Sequence, residues 1–186
     1  MGIPKNGDLV KVGVQIVDGE LHYLHNEGNK EKKSFEIFDY TVDNNCQLQN
    51  KRVLWSVTGI RLFSLPNFNS IISNDGSKSL IYSAPNNFFL LLDSKLNPVW
   101  NATYEEEVKD NLDNIIVTID GNIAIRDSRS MKLYGKVEMD LILINTATDE
   151  VLTTQMTHPK ISMVSTMYLL SNDKNEVVLT AFSACD

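Results

Sequence analysis

Residues 88–100 read FFLLLDSKLNPVW, and this stretch is the clearest indication of the fold class of the chain. An uninterrupted apolar run ends at Asp93, a short polar segment follows, and a second strand-like segment continues to Trp100. A short apolar run bounded by turn residues predicts a strand that is covered on both faces. The pattern returns at residues 141–153, LILINTATDEVLT, which indicates a repeated β-hairpin.

A second landmark supports the repeat. Asp18-Gly19, Asp75-Gly76 and Asp120-Gly121 each precede an apolar strand, and Asn172-Asp173 opens a fourth repeat. Asp18, Asp75, Asp120 and Asp173 follow one another at intervals of 57, 45 and 53 residues. The strand ends Asp39, Asp93 and Asn145 give intervals of 54 and 52 residues. A period of this length is close to that of a β-propeller blade, about 40–50 residues.

We therefore expect an all-β chain of short antiparallel strands that form about three and a half propeller-like blades. The predicted repeats cover approximately residues 8–58, 59–110, 111–157 and 158–186. Propellers usually have about four to eight blades, so the chain is expected to belong to a larger or assembled propeller. Open strand edges would favour association with another chain.

The hairpins at residues 91–100 and 143–152 resemble those between the last two strands of propeller blades of the WD40 and quinoprotein types. In those families a strand ends in Asp or Asn, a tight turn follows, and the outer strand returns. No Gly-His and Trp-Asp signature is present. The resemblance implies the fold. Because loops on a rigid scaffold commonly carry binding, we expect a non-enzymatic interaction module for protein partners or self-association.

An alternative is carbohydrate binding. Residues 118–126 are similar to the repeat of bulb-type mannose-binding lectins, Gln-x-Asp-x-Asn-x-Val-x-Tyr, whose alternating polar side chains bind sugar hydroxyls. Asp120 and Asn122 match, whereas Thr118, Ala124 and Arg126 replace Gln, Val and Tyr. The resemblance implies a sugar site at Asp120 and Asn122, although the preceding repeat has lost both positions.

Composition excludes several other classes. The chain is 42% hydrophobic and 22% charged, which suits a folded domain, and its net charge of −7 opposes binding to nucleic acid. No apolar run approaches the length of about 18 residues that crosses a membrane. Two isolated cysteines, Cys46 and Cys185, and no apolar leader indicate an intracellular, cytoplasmic or nuclear location. The sequon Asn101-Ala102-Thr103 leaves secretion open.

The search for catalytic residues finds no convincing set. His22 and His25 are three apart, and on a strand such positions face opposite ways and cannot share a metal ion. No phosphate-binding loop, nucleophile elbow or complete calcium loop is present. The sequence thus predicts no catalytic residue, no metal and no cofactor, and we expect that the chain is not an enzyme.

Overall fold

The computed structural model describes residues 10–29, 34–58, 68–83, 88–104, 112–127, 137–158, 164–171 and 177–183. Every regular element in these ranges is a β-strand. The strands are β1 (Val10–Val17), β2 (Glu20–Asn29), β3 (Ser34–Val42), β4 (Leu48–Thr58), β5 (Asn69–Ile72), β6 (Lys78–Ser83), β7 (Phe88–Asp93), β8 (Pro98–Thr103), β9 (Leu112–Val117), β10 (Ile123–Asp127), β11 (Val137–Asn145), β12 (Glu150–His158), β13 (Val164–Ser171) and β14 (Val177–Ser183).

The strands form three four-stranded antiparallel sheets and one pair. The sheets contain β1–β4, β5–β8 and β9–β12, each in chain order, and β13 pairs with β14. Within each sheet, consecutive strands are therefore neighbours, as short hairpins require. This arrangement confirms the predicted all-β class and the count of three and a half sheets. The predicted turn at Asn172-Asp173 lies outside the described residues.

The chain divides into two compact units, Met1–Ser70 with Leu80–Glu105 and Ile71–Ser79 with Glu106–Asp186. In the first unit, sheet β1–β4 packs face to face on the part of sheet β5–β8 that belongs to this unit, which includes β7 and β8. The rings of Phe35, Phe68 and Phe88 meet at the centre, with centroid separations of 5.0–5.8 Å. The other buried members of this core are Val12, Leu24, Ile37, Leu54, Ile81, Leu90, Leu92 and Leu96.

Burial follows the position of each strand within its sheet. All five apolar residues of β7, Phe88–Leu92, are buried, as their continuous run predicts. The last strands are exposed: β8 has no buried residue, and β4 has only Leu54. The first strands β1 and β5 approach closely, because Ser70 Oγ donates to Val12 O at 3.0 Å. A Cβ atom at Gly13 would collide with the Ser70 side chain.

In the second compact unit, the buried side chains of the third sheet come from β9, β10 and β11. They include Ile115, Val117, Ile123, Ile125 and Ile144. The described side chains of β12, at residues 150–154, are all exposed. Most of the described side chains of the last strand are thus exposed in all three four-stranded sheets.

In each of the three four-stranded sheets, an Asp-Gly turn lies between the first and the second strand, as predicted. Asp18 and Gly19 both have positive φ, 50° and 86°, which is the two-residue hairpin geometry that Asp-Gly favours. Gly76 and Gly121 adopt φ of 74° and 89°. Glycine enters this region without the steric cost that a Cβ atom brings.

The hairpins that end β3 and β7 have the same hydrogen-bond pattern. Asp43 Oδ1 accepts from the Asn45 and Gln47 amides, and Asp93 Oδ1 accepts from the Lys95 and Asn97 amides. The prediction that Asp39 ends its strand is therefore wrong. Asp39 lies inside β3, and the residue equivalent to Asp93 is Asp43.

The same two hairpins allow a matched test of the energetic cost of a left-handed backbone conformation. Cys46 and Leu96 occupy equivalent positions with φ of 59° and 60°, but Cys46 is exposed and Leu96 is fully buried. Cys46→Gly should raise the free energy of unfolding by about 1 kcal/mol, because glycine removes left-handed strain. Leu96→Gly should lower it by about 2 kcal/mol or more, because lost burial outweighs relieved strain. Urea unfolding would measure both, and two changes of the same sign would contradict this account.

His25 is buried on the face of β1–β4 that points away from β5–β8, which we call the outer face. Its ring lies 6.1–6.4 Å from the rings of Tyr23, Phe38 and Tyr40. Neither ring nitrogen has a hydrogen-bond partner among the residues that the structure describes, and Glu27 Oε1 lies 3.7 Å from Nε2. Burial removes water from the His25 ring and lowers its pKa from the usual value of 6.5. The Glu27 carboxylate raises the pKa, but its effect is smaller than that of desolvation.

This lowered pKa makes stability depend on pH. The unfolded chain takes up the proton first, so the contribution of His25 is complete above pH 6.5 and is lost as the pH falls below that value. His25→Phe retains an aromatic ring but cannot titrate. We expect the free energy of unfolding of the wild type to fall more steeply than that of the variant as the pH is lowered from 7 towards 5. Parallel curves would show that His25 does not titrate in this way.

Candidate functional site

Asp39 is the centre of a polar cluster on the inner face of β1–β4, the face that packs on β5–β8. The register places Asp39 opposite Leu24 on β2 and Arg52 on β4. Asp39 is only 3% exposed. His22 Nδ1 donates to Asp39 Oδ1 at 2.8 Å, and Arg52 Nη2 donates to Oδ2 at 3.0 Å. Both carboxylate oxygens therefore have charged or polar donors, which a buried carboxylate requires.

Arg52 also connects the two sheets of the first compact unit. Its Nη2 donates to the carbonyl oxygens of Lys95 and Leu96 at 3.2 and 3.4 Å. Its Nη1 donates to Asn97 Oδ1 at 3.3 Å. A planar guanidinium has five N–H donors in fixed directions, so one side chain can serve the carboxylate and the hairpin together. The β7–β8 hairpin is thereby held against β4.

A cavity of about 320 Å³ lies beside this cluster. Its lining residues come from the β1–β2 hairpin, the inner face of the sheet and the β7–β8 hairpin. They are Val17, Asp18, Glu20, His22, Asp39, Thr41, Asn50, Arg52 and Lys95. The cavity combines hydrogen-bonding and charged side chains, and its volume is at the lower end of the range for small-molecule sites.

The sequence analysis missed this cluster. His22 and Asp39 are 17 residues apart, and nothing in the local sequence indicates that they meet. The opposite orientation of His22 and His25 was predicted from strand alternation and is confirmed. His22 lies with Asp39 on the inner face, and His25 lies with Phe38 on the outer face. Among the described residues, no group of three His, Cys, Asp or Glu side chains is placed to hold a metal ion.

The predicted sugar-binding residues lie in a turn. Asp120 and Asn122 are in the connection between β9 and β10, where Thr118 N donates to Asn122 O at 2.9 Å and Asn122 N donates to Thr118 Oγ1 at 3.0 Å. The two side chains therefore do not alternate along one strand, as the lectin pattern requires. Carbohydrate binding at these residues stays a prediction.

Asn122, but not Asp120, lines a second cavity, of about 450 Å³, in the second compact unit. The lining is mainly aliphatic, with a few polar side chains near the strand ends. It consists of Thr118, Asn122, Ile123, Ala124, Leu143, Ile144, Asn145, Glu150 and Leu152. Asn145 is partly committed to the chain, since its Oδ1 accepts from the Ala147 amide at 3.0 Å. Asp120 is exposed in the turn, so the structure does not bring the two predicted residues together in this cavity.

Comparison with known proteins gives only distant similarities. No protein-family model and no curated protein matches the chain. A puromycin hydrolase structure is 12% identical, covers 85% of this chain and 23% of that chain, and has a TM-score of 0.44. The acylaminoacyl peptidase of Pyrococcus horikoshii is 14% identical, with coverages of 82% and 25% and a TM-score of 0.37. The chain thus spans about a quarter of the length of these proteins.

The prediction that the chain is not an enzyme is wrong. Two of the similar structures carry the names of a hydrolase and a peptidase. At this level of identity the similarity assigns neither an activity nor a substrate to the chain. In the described part of the chain, no helix is long and apolar enough to cross a membrane.

Arg52→Met tests the role of the guanidinium in joining the sheets. Methionine keeps an aliphatic stem but removes every donor to Asp39 and to the hairpin carbonyls. We expect the free energy of unfolding to fall by about 1–3 kcal/mol, because the buried carboxylate then has only His22 as a donor. Lys78→Met removes a lysine that makes no ion pair among the described residues, and should change stability by less than about 0.5 kcal/mol. Equal losses in urea unfolding would contradict a specific role for Arg52.

Proposed function

We propose that the chain is a propeller-like protein-interaction module that associates through the outer face of its first sheet, and that its partner is a second copy of the chain. The surface is a row of aliphatic side chains that crosses all four strands. Ile16 pairs with Leu21, Leu21 with Val42, and Val42 with Leu48. Paired residues in antiparallel strands project from the same face. We call these four residues the aliphatic row.

The aliphatic row is accessible to a partner. Ile16 is 75% exposed, and Leu21 and Leu48 are 40% and 47% exposed. Val14, two residues before Ile16, extends the same face. Single exposed aliphatic residues are common on protein surfaces, but a contiguous group is typical of an interaction site. This contiguous row is the observation that carries the proposal.

A second β-sheet is the partner whose shape suits this face. The first compact unit already joins two four-stranded sheets through apolar faces, at the Phe35, Phe68 and Phe88 cluster. The close approach of β1 to β5, and the exposure of the last strands, support blades of the kind found in WD40 and quinoprotein propellers. A copy of the chain would present the same apolar row, and a two-fold symmetric contact would bury both rows together.

Ile16→Glu and Ile72→Glu form a matched pair that tests this association. Both isoleucines are at the end of the first strand of a sheet, close to the first hairpin, and are 75% and 50% exposed. Ile16→Glu should weaken self-association at least tenfold, because a carboxylate in an apolar contact loses its hydration. Ile72→Glu should leave it unchanged. Sedimentation equilibrium over a range of concentrations would measure the dissociation constants.

The proposal fails if the wild type remains a monomer at all concentrations tested. It also fails if the two substitutions weaken association equally, because the loss would then reflect added charge rather than the aliphatic row. Circular dichroism and urea unfolding of each variant would verify that the fold is retained. Both positions are exposed, so we expect each substitution to change the free energy of unfolding by less than about 1 kcal/mol.

A further inference from the structure

The cavity beside Asp39 has features of a binding site that the proposed association does not use. It opens at the polar end of the inner face, whereas the aliphatic row is on the outer face. His22 Nδ1 is engaged by Asp39, and the other ring nitrogen makes no hydrogen bond with any described residue. The Asp39 carboxylate, which is buried, holds the His22 ring in a fixed orientation at the cavity wall. Such a ring can make a directed hydrogen bond to a ligand.

The charges of the cavity are separated along the sheet. Asp18 and Glu20 are on the β1–β2 hairpin, whereas Arg52 is on β4 and Lys95 is on the β7–β8 hairpin. Because the sheet order is β1-β2-β3-β4, the backbone of Glu20 lies two strand spacings, about 10 Å, across the sheet from that of Arg52. Arg52 is level with Leu24 through Asp39, so Glu20 is also displaced by four residues, about 14 Å, along the strands. The cavity therefore has an acidic end and a basic end.

Two of these charges remain unsatisfied by the protein. Arg52 neutralises Asp39 through a 3.0 Å ion pair. Within the described ranges, neither the Glu20 carboxylate nor the Lys95 ammonium group makes a hydrogen bond or ion pair. A ligand that carries an ammonium group and a carboxylate group would satisfy both ends at once. Because each end of the cavity attracts the opposite charge on the ligand, the charges also determine in which direction the ligand binds.

We propose that this cavity binds a short zwitterionic peptide, of dipeptide size, with its ammonium group at Asp18 and Glu20 and its carboxylate at Lys95. His22 and Asn50 are then available to hydrogen-bond the peptide unit between the two charged ends. The volume of about 320 Å³ accommodates a ligand of this size.

Three probes distinguish the charges that the site recognises. Glycylglycine carries both charges, N-acetylglycylglycine lacks the ammonium group, and glycylglycinamide lacks the carboxylate. We expect saturable chemical-shift changes with glycylglycine in NMR titrations of the full chain, including the His22 ring signals. Each single-charge probe should bind at least tenfold more weakly. The proposal is overturned if glycylglycine gives no saturable change, or if either single-charge probe binds as tightly.

Four variants assign the two charges to their residues. Glu20→Gln should weaken the binding of glycylglycine and glycylglycinamide but leave that of N-acetylglycylglycine unchanged. Lys95→Gln should weaken the binding of glycylglycine and N-acetylglycylglycine but leave that of glycylglycinamide unchanged. Glu36→Gln and Lys78→Gln make the same changes of charge outside the cavity lining and should have no effect. Equal losses in the control variants would overturn the assignment, because they would show a response to net charge alone. Ile16→Glu should bind glycylglycine normally, which separates this site from the association surface.

Discussion

The face-to-face packing of β1–β4 on β5–β8, centred on Phe35, Phe68 and Phe88, is the interaction on which the rest of the first compact unit depends. It gives the first sheet an inner and an outer face, and strand alternation then fixes where each neighbouring side chain lies. On β3, Ile37 and Asp39 therefore face inward, whereas Phe38 and Tyr40 face outward. The polar cluster is a consequence of this alternation, since Asp39 is carried to the inner face just beyond the apolar core.

The buried Asp39 imposes a second constraint. A carboxylate that is taken out of water must be paired, and a buried pair is costly when one partner is removed. Arg52 meets this need from β4, and its remaining donors reach the carbonyl groups of the β7–β8 hairpin. The same guanidinium thus compensates the charge and sets the position of Lys95. The cavity lies beside this pair, where the lining of the inner face is polar rather than apolar.

The sequence contained enough information for the strands but not for their partners. The apolar run of β7 and the Asp-Gly turns are local signals, and both were read correctly. Asp39 was read as a strand end because an isolated acidic residue after apolar residues also describes a turn. Its burial depends on the register with Arg52 and His22, and a shift of one residue would move it to the other face. Only the lectin resemblance placed Asp120 and Asn122 on a strand, whereas the Asp-Gly signal predicted the turn that Gly121, with φ of 89°, forms.

The outer face of the first sheet follows from the same alternation, and it is the face opposite the one that packs on β5–β8. Its aromatic part, around His25, is buried, whereas the aliphatic row is left exposed. Aliphatic residues suit strands whether or not they are covered, so their type alone does not indicate an interface. Their alignment across four consecutive strands is more informative, because it places apolar area in one continuous stripe. One sheet can therefore combine an inner face that encloses a polar cavity with an outer face suited to another sheet, since alternation keeps the two sets of side chains apart.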